Sequence, residues 1–219
     1  MFTDVPSIAM RDILHFLGWR GTPVEESLLR QLQDIVQIVQ AEITPCVVTR
    51  AFGMDADFNL ENTVFAPEGN DIHRLLAQCS STILMAATLG AQSERLLLRW
   101  QARSSADALL MDAVLSAAIE AVCDQQEREL RKAYAAKGLY LTDRFSPGYG
   151  DMPLRQTRDI CAVLQADKTV GLTVSGSGIM IPRKSVTAIL GVSSAEQPRR
   201  PSPCAVCSMR DKCSLRKEK

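Results

Sequence analysis

Histidine is almost missing from this chain. His15 and His73 are the two copies in 219 residues, and their spacing suggests no catalytic pair. No Ser–His–Asp or Cys–His–Asp arrangement is suggested either. Net charge is missing too. The 25 Lys and Arg residues balance 25 Asp and Glu, so no long-range field draws the chain toward nucleic acid or an anionic membrane. No apolar run approaches the roughly 18 residues of a membrane-spanning helix. The opening MFTDVPSIAMRDIL lacks a basic segment followed by an apolar core, so no secretory signal is expected and a cytoplasmic location follows as the default. What is present, 46% apolar and 23% charged residues, is the balance of a globular protein with room for one domain and an appendage.

Glycine-rich phosphate loops are also absent. Gly176-Ser177-Gly178 reads as a turn too short to cradle a phosphate. That argues against P-loop and dinucleotide folds and against a Rossmann-type methyltransferase. Asp12, His15 and Gly18 come near the Asp-x-His-x-x-Gly pattern that ligates cobalamin, but the chain reads Asp-x-x-His-x-x-Gly. The extra residue moves the Asp from the position that orients the imidazole, and His15 is expected at a helix end.

Cysteines number seven, and an odd count in a reducing compartment argues against a disulfide framework. Cys46, Cys79, Cys123 and Cys161 lie in apolar segments and read as small core residues. Cys204, Cys207 and Cys213 cluster near the C-terminus with Cys-x2-Cys-x5-Cys spacing. Thiolates so spaced suit soft metals, so an iron–sulfur cluster, or else zinc, is the candidate there. Three ligands leave a fourth position to be filled from elsewhere. The alternative is a redox-sensitive tail without metal.

Periodicity and punctuation mark the elements. Thr22-Pro23-Val24-Glu25 joins a capping box to Pro at the first helical position, and Val24, Leu28, Leu32, Ile35 and Val39 follow at helical spacing. Residues 44–52 and 57–65 read as strands. Asn70 or Asp71 is expected to cap a short helix bearing Ile72, Leu75, Leu76 and Cys79. The apolar run 82–89 fits a buried strand or a buried helical segment, since periodicity alone does not decide, and its place between polar-capped helices favours the strand. Helices over 91–102 and 105–136 are the strongest signals, the second ended by Gly138. Glu120 falls close to the apolar stripe of that helix, where a carboxylate either snorkels or is used. A strand is expected at 140–142, a helix starting at Asp151 and Pro153, and strands around 170–174, 179–182 and 185–192. Residues 193–203 have the composition of a linker. The expected fold is α+β: one domain over 1–192, with a mainly antiparallel sheet packed by long helices, then the linker and a flexible Cys-rich tail over 204–219.

Residues 144–150, Arg-Phe-Ser-Pro-Gly-Tyr-Gly, concentrate recognition chemistry. Pro147 fixes its own φ and restricts Ser146, while Gly148 and Gly150 permit positive φ and close backbone approach. Such a loop can present a guanidinium to a carboxylate or phosphate, and a phenol ring as an apolar face with a polar tip. Read locally, it is also compatible with an ordinary turn that packs a Tyr.

RFSPGYGDMP at 144–153 and GIMIPRKSVTAILGV at 178–192 carry a family resemblance, supported by ATLG at 87–90 and AAIEAVCD at 117–124. Residues 10–192 resemble the activation (S-adenosylmethionine-binding) domain of cobalamin-dependent methionine synthase, and more closely its free-standing activation-domain proteins. The resemblance implies a protein that acts in trans on a methionine synthase lacking its own activation domain. S-adenosylmethionine would be presented to cobalamin held by that partner, and cob(II)alamin would undergo reductive methylation with an electron from a donor such as flavodoxin or ferredoxin. It also implies that Arg144, Ser146, Gly148 and Tyr149 line the ligand site and that Glu120 joins them. On that reading Arg144 suits the carboxylate, Glu120 the cationic end, and Tyr149 the adenine or ribose. No catalytic residue is assigned.

Met180, Pro182 and Ser185 match the second motif, as strand-and-turn geometry or as ligand-facing residues. The chain departs from the pattern twice: a second family Tyr aligns with Leu190, and the family's N-terminal Asp ligand has no assigned counterpart. Two other readings stay open. One is a reactivator of another corrinoid methyltransferase, supplied with electrons by a tail iron–sulfur centre. The other is a protein of the same fold that binds a different small molecule or only a partner.

Overall fold

An apolar run with no polar side must be covered on both faces. The computed structural model, which describes residues 4–19 and 23–196, makes the run at 82–89 the middle of a sheet. Five elements open the chain: α1 (Met10–Phe16), α2 (Glu26–Glu42), β1 (Cys46–Gly53), α3 (Asn70–Leu76) and the central strand β2 (Ser81–Thr88). Then come α4 (Ala91–Gln101), α5 (Ser105–Ala135), β3 (Tyr140–Leu141), α6 (Gln156–Leu164), α7 (Ala166–Thr169), β4 (Thr173–Val174), β5 (Met180–Ile181) and β6 (Ser185–Ser193). All pairings in the main sheet are antiparallel, in the order β1-β2-β6-β3, and β4 and β5 form a separate antiparallel ladder. The fold is α+β, as the sequence pattern implies.

Alternation sorts the side chains into two cores. Ile83, Met85 and Ala87 of β2, with Ala188, Leu190 and Val192 of β6, pack with residues of α1, α2, α4 and α5 such as Ile13, Ile35, Leu96 and Val114. Leu84, Ala86 and Ile189 face the other way, onto Ile72 and Leu76 of α3 and Ile160 and Leu164 of α6. The sheet is the middle of three layers.

Several local expectations are corrected. Residues 57–65 form no strand beyond an isolated Met54–Leu60 bridge. The Asp55 carboxylate accepts from the amides of Asp57 and Asn59 at 3.0 and 2.8 Å, and Phe58 and Asn62 take positive φ. Such side-chain-to-backbone bonds compete with a ladder. Helix α2 starts at Glu26 rather than Pro23, with Glu25 at the N-cap making no side-chain cap bond; Thr22 lies outside the described residues. Around 170–174 the strand shrinks to Thr173–Val174, because 166–169 is helical.

Asp151 does not open a helix, and α6 begins only at Gln156. Neither Asn70 nor Asp71 caps α3, whose N-cap is Gly69 at φ 121°. Instead the Asp151 carboxylate accepts from the Asn70 and Asp71 amides at 2.7 and 3.0 Å. Those donors hold the Asp151 pKa below its ordinary 3.8. The contribution of this cap is therefore complete above that value and is lost only as pH falls through the lower folded one.

Gly191 of β6 packs closely against the side of the second core. A Cβ there would overlap the Cys79 sulfur and stand 2.9 Å from Leu76 and 3.0 Å from Thr142. Gly191→Ala should cost about 1–3 kcal/mol in urea unfolding by overpacking. Cys79→Ala in the same chain should recover part of that loss; strict additivity of the two changes would count against the contact.

Candidate functional site

Glu120, Asp124, Glu127 and Arg131 recur along α5 at intervals of four, three and four, so they share one stripe of the helix. The stripe faces the chain as it leaves β3. There the Thr142 amide donates to Gly191 O at 3.0 Å and the Thr142 hydroxyl accepts from the Gly191 amide at 2.8 Å. Phe145 and Ile189 exchange both backbone bonds, at 2.9 and 2.8 Å. This extends the ladder past β3 and sets the side-chain alternation: Phe145 enters the second core, and Arg144 turns to the opposite side, toward α5.

Arg144 donates from Nε to Glu127 Oε2 at 2.8 Å, pairs with Asp124, and lies 3.6 Å from Glu120 Oε2. Arg131 donates to the other Glu127 oxygen at 2.6 Å, to the carbonyls of Leu141 and Thr142 at 2.6 and 2.8 Å, and to Asp143 at 3.2 Å. Glu127 thus bridges two guanidiniums. The Arg144 and Glu127 side chains are 17% and 18% exposed, whereas Glu120 and Asp124 are 45% and 55% exposed, so the cluster has a dry end and a wet end. Burial by itself lowers the Arg144 pKa; the Cys123 sulfur and the carboxylates of Glu120, Asp124 and Glu127 outweigh it, and the net direction is up. Cys123 sits beneath the guanidinium, and burial pushes its thiol up to about 12. It is neutral at pH 7, so the carboxylates carry the stabilisation of the Arg144 charge.

Glu120 and Arg144 are therefore brought together. Ser146 is half-buried and Pro147 buried, while Gly148, Tyr149 and Gly150 form an exposed tip. That tip is folded by bonds from the Tyr149 amide to Ser146 O at 3.1 Å and from the Gly148 amide to Met152 O at 2.9 Å. The Tyr149 side chain is 61% exposed. Leu190, at the departed Tyr position, is fully buried in the core on the α5 side. Ser185 is buried, with its Oγ 2.8 Å from Thr88 Oγ1 and 2.7 Å from Pro182 O. The second motif thus uses Ser185 to tie its turn to the end of β2.

Sequence reasoning misses Asp124, Glu127 and Arg131, although their spacing with Glu120 is visible in the chain. Cys204, Cys207 and Cys213 lie outside the described residues. Among the described residues, no group of three or more His, Cys, Asp or Glu is placed to hold a metal. Likewise no helix there is long and apolar enough to cross a membrane. Two shallow depressions, one lined by Asn70, His73, Arg74 and Ala77 and one around Trp100, do not include Arg144.

No family model matches the chain, and no curated protein does. Among solved structures, the crystal structure of the MetH reactivation domain bound to AdoHcy superposes with a TM-score of 0.64 at 15% identity, covering 88% of this chain and 77% of that one. This chain has the MetH reactivation-domain fold. Within that fold the two motif segments are direct neighbours, because Phe145 of the first bridges Ile189 of the second.

Glu127→Gln should cost about 1.5–3 kcal/mol in urea unfolding, since it strips charge from a half-buried acceptor shared by two guanidiniums. Glu120→Gln, at the wet end, should cost about 0–1 kcal/mol. Equal losses would contradict the dry-to-wet gradient.

Proposed function

We propose that this chain binds S-adenosylmethionine at the Arg144 loop and serves, in trans, the reductive methylation of a corrinoid protein. The partner assigned is a cobalamin-dependent methionine synthase lacking its own activation domain. One observation carries the reading: the pair Arg144 and Glu120 stands 3.6 Å apart on a fold whose solved neighbour is bound to AdoHcy. AdoHcy is what remains of S-adenosylmethionine after methyl donation.

The residues fit such a ligand. S-adenosylmethionine carries a carboxylate, an ammonium and a sulfonium, a net cation. The carboxylates of Glu120, Asp124, Glu127 and Asp143 exceed the guanidiniums of Arg131 and Arg144 by two formal charges, which suits a net cation. Asp124 is more than half exposed, and exposed ion pairs are weak. A ligand carboxylate can take its place on Arg144, leaving Asp124 and Glu120 to face the ammonium. Ser146 and Gly148 bring backbone close, and the exposed Tyr149 ring offers a face for adenine or ribose. When bound, S-adenosylmethionine supplies the methyl group for the partner's cobalamin, with the electron drawn from a flavodoxin- or ferredoxin-type donor. This chain's own residues bind and orient; none is assigned to bond breaking. Cys204, Cys207 and Cys213 are assigned to an iron–sulfur cluster, with zinc as the alternative.

Arg144→Ala should weaken S-adenosylmethionine by about 2 kcal/mol or more, roughly 30-fold, in calorimetry. Tyr149→Ala, at an exposed position, should weaken it while leaving the fold intact. Unchanged affinity in both variants would sink the site. Return of methylcobalamin from cob(II)alamin, dependent on S-adenosylmethionine, tests the role. Success with a different corrinoid protein alone would move the partner assignment.

Anaerobically purified protein should contain iron and acid-labile sulfide. Zinc in their place would select the alternative. A flat visible spectrum with no metal would rule the cluster out.

A further inference from the structure

Segments 66–71 and 151–156 are stitched together across the surface. Gln156, 2% exposed, donates to Ala66 O at 2.8 Å and accepts from the Glu68 amide at 2.9 Å. Arg155 pairs with Glu68. Asp151 accepts from the amides of Asn70 and Asp71. At two positions a Cβ would meet the carboxylate that faces it. A Cβ on Gly69 would stand 2.7 Å from Asp151 Oδ1 and 3.2 Å from the Asp151 backbone, and a Cβ on Gly150 would overlap the Asp71 carboxylate. Their φ values, 121° and 53°, are in the region that favours Gly.

This seam ends at the tip of the Arg144 loop. Met152 is buried in the second core, and its amide donates to Tyr149 O at 3.1 Å. Tyr149 lies between two glycines and is mostly exposed, so packing does not fix its ring. The backbone fixes where its side chain starts, and so the region the ring can reach. A loop ordered before binding gains affinity, because the ordering cost is not charged to the ligand.

We propose that Asp151 is a positioning residue for ligand binding: its carboxylate latches the Tyr149–Gly150 tip to the start of α3. The ligand part of this inference rests on the S-adenosylmethionine reading; the latch itself does not. Asp151→Ala in the full chain should raise amide hydrogen exchange at 70, 71 and 148–152 by about tenfold, leave exchange in β2 and β6 unchanged, and weaken S-adenosylmethionine and S-adenosylhomocysteine about tenfold in calorimetry. Asp151→Asn keeps one carbonyl oxygen as acceptor and should restore part of both effects. Gly69→Ala should loosen the same amides with the carboxylate still present.

Wild-type exchange at 148–152 in Asp151→Ala would overturn the latch. Raised exchange with wild-type affinity for both ligands would overturn the positioning role. If the wild type binds neither ligand, the functional reading fails, and the latch then stands or falls on exchange alone.

Discussion

Strand β2 has no side that water can cover, and the molecule is arranged around that constraint. Its residues from Thr82 to Thr88 are all buried, so each face needs its own layer of helices. β6 shares the constraint, because Ala188, Leu190 and Val192 serve one core while Ile189 and Gly191 serve the other. The long helix α5 lies on one face and α3 and α6 on the other. Once the register Ile83–Leu190 and Met85–Ala188 is set, the edge of β6 decides where the next chain segment can pair. That segment is the one carrying Arg144.

The site follows from this pairing by alternation. With Phe145 committed to the second core, its neighbour Arg144 has to point at α5, and the acidic stripe on α5 is what makes that tolerable. A guanidinium that is mostly buried costs several kcal/mol unless it is paired. Glu127 supplies the pairing at the dry end, and Arg131 in turn holds Glu127 and the carbonyls of Leu141 and Thr142. Removing any one member leaves the others with fewer partners at the dry end, so their contributions are coupled. Asp124 and Glu120 stand outside that group, at the water side, where exchange for a ligand group costs little.

How much of this can be read from the chain differs by element. The helix at 91–101 is plain from its amphipathic period, and the one at 105–135 from its length, its Ser104 cap and its many strong helix formers. β2 is readable from its apolar run. The segment 57–65 misleads because alternation there looks like a strand, while the side chain of Asp55 captures the backbone first. Asn70 and Asp71 have the chemistry of helix caps, yet the cap comes from Asp151, about 80 positions downstream, a partner that local sequence does not reveal. In the candidate site, motif context singles out Arg144 and Glu120, which the fold brings together. Asp124, Glu127 and Arg131 need knowledge that this face of α5 meets the β3 exit, which is a tertiary fact.

Leu190 shows why alignment and geometry have to be weighed together. Aligned to a family Tyr, it reads as a lost ligand contact at the far wall of a site. In the structure it is fully buried, pairs with Ile83 in the register of the central strands, and belongs to the core on the α5 side. A Tyr placed there would have to bury its hydroxyl or reach past the sheet toward the surface. The Leu instead adds apolar area to the layer that holds α5 in place, and so supports the helix from which Glu120, Asp124 and Glu127 project.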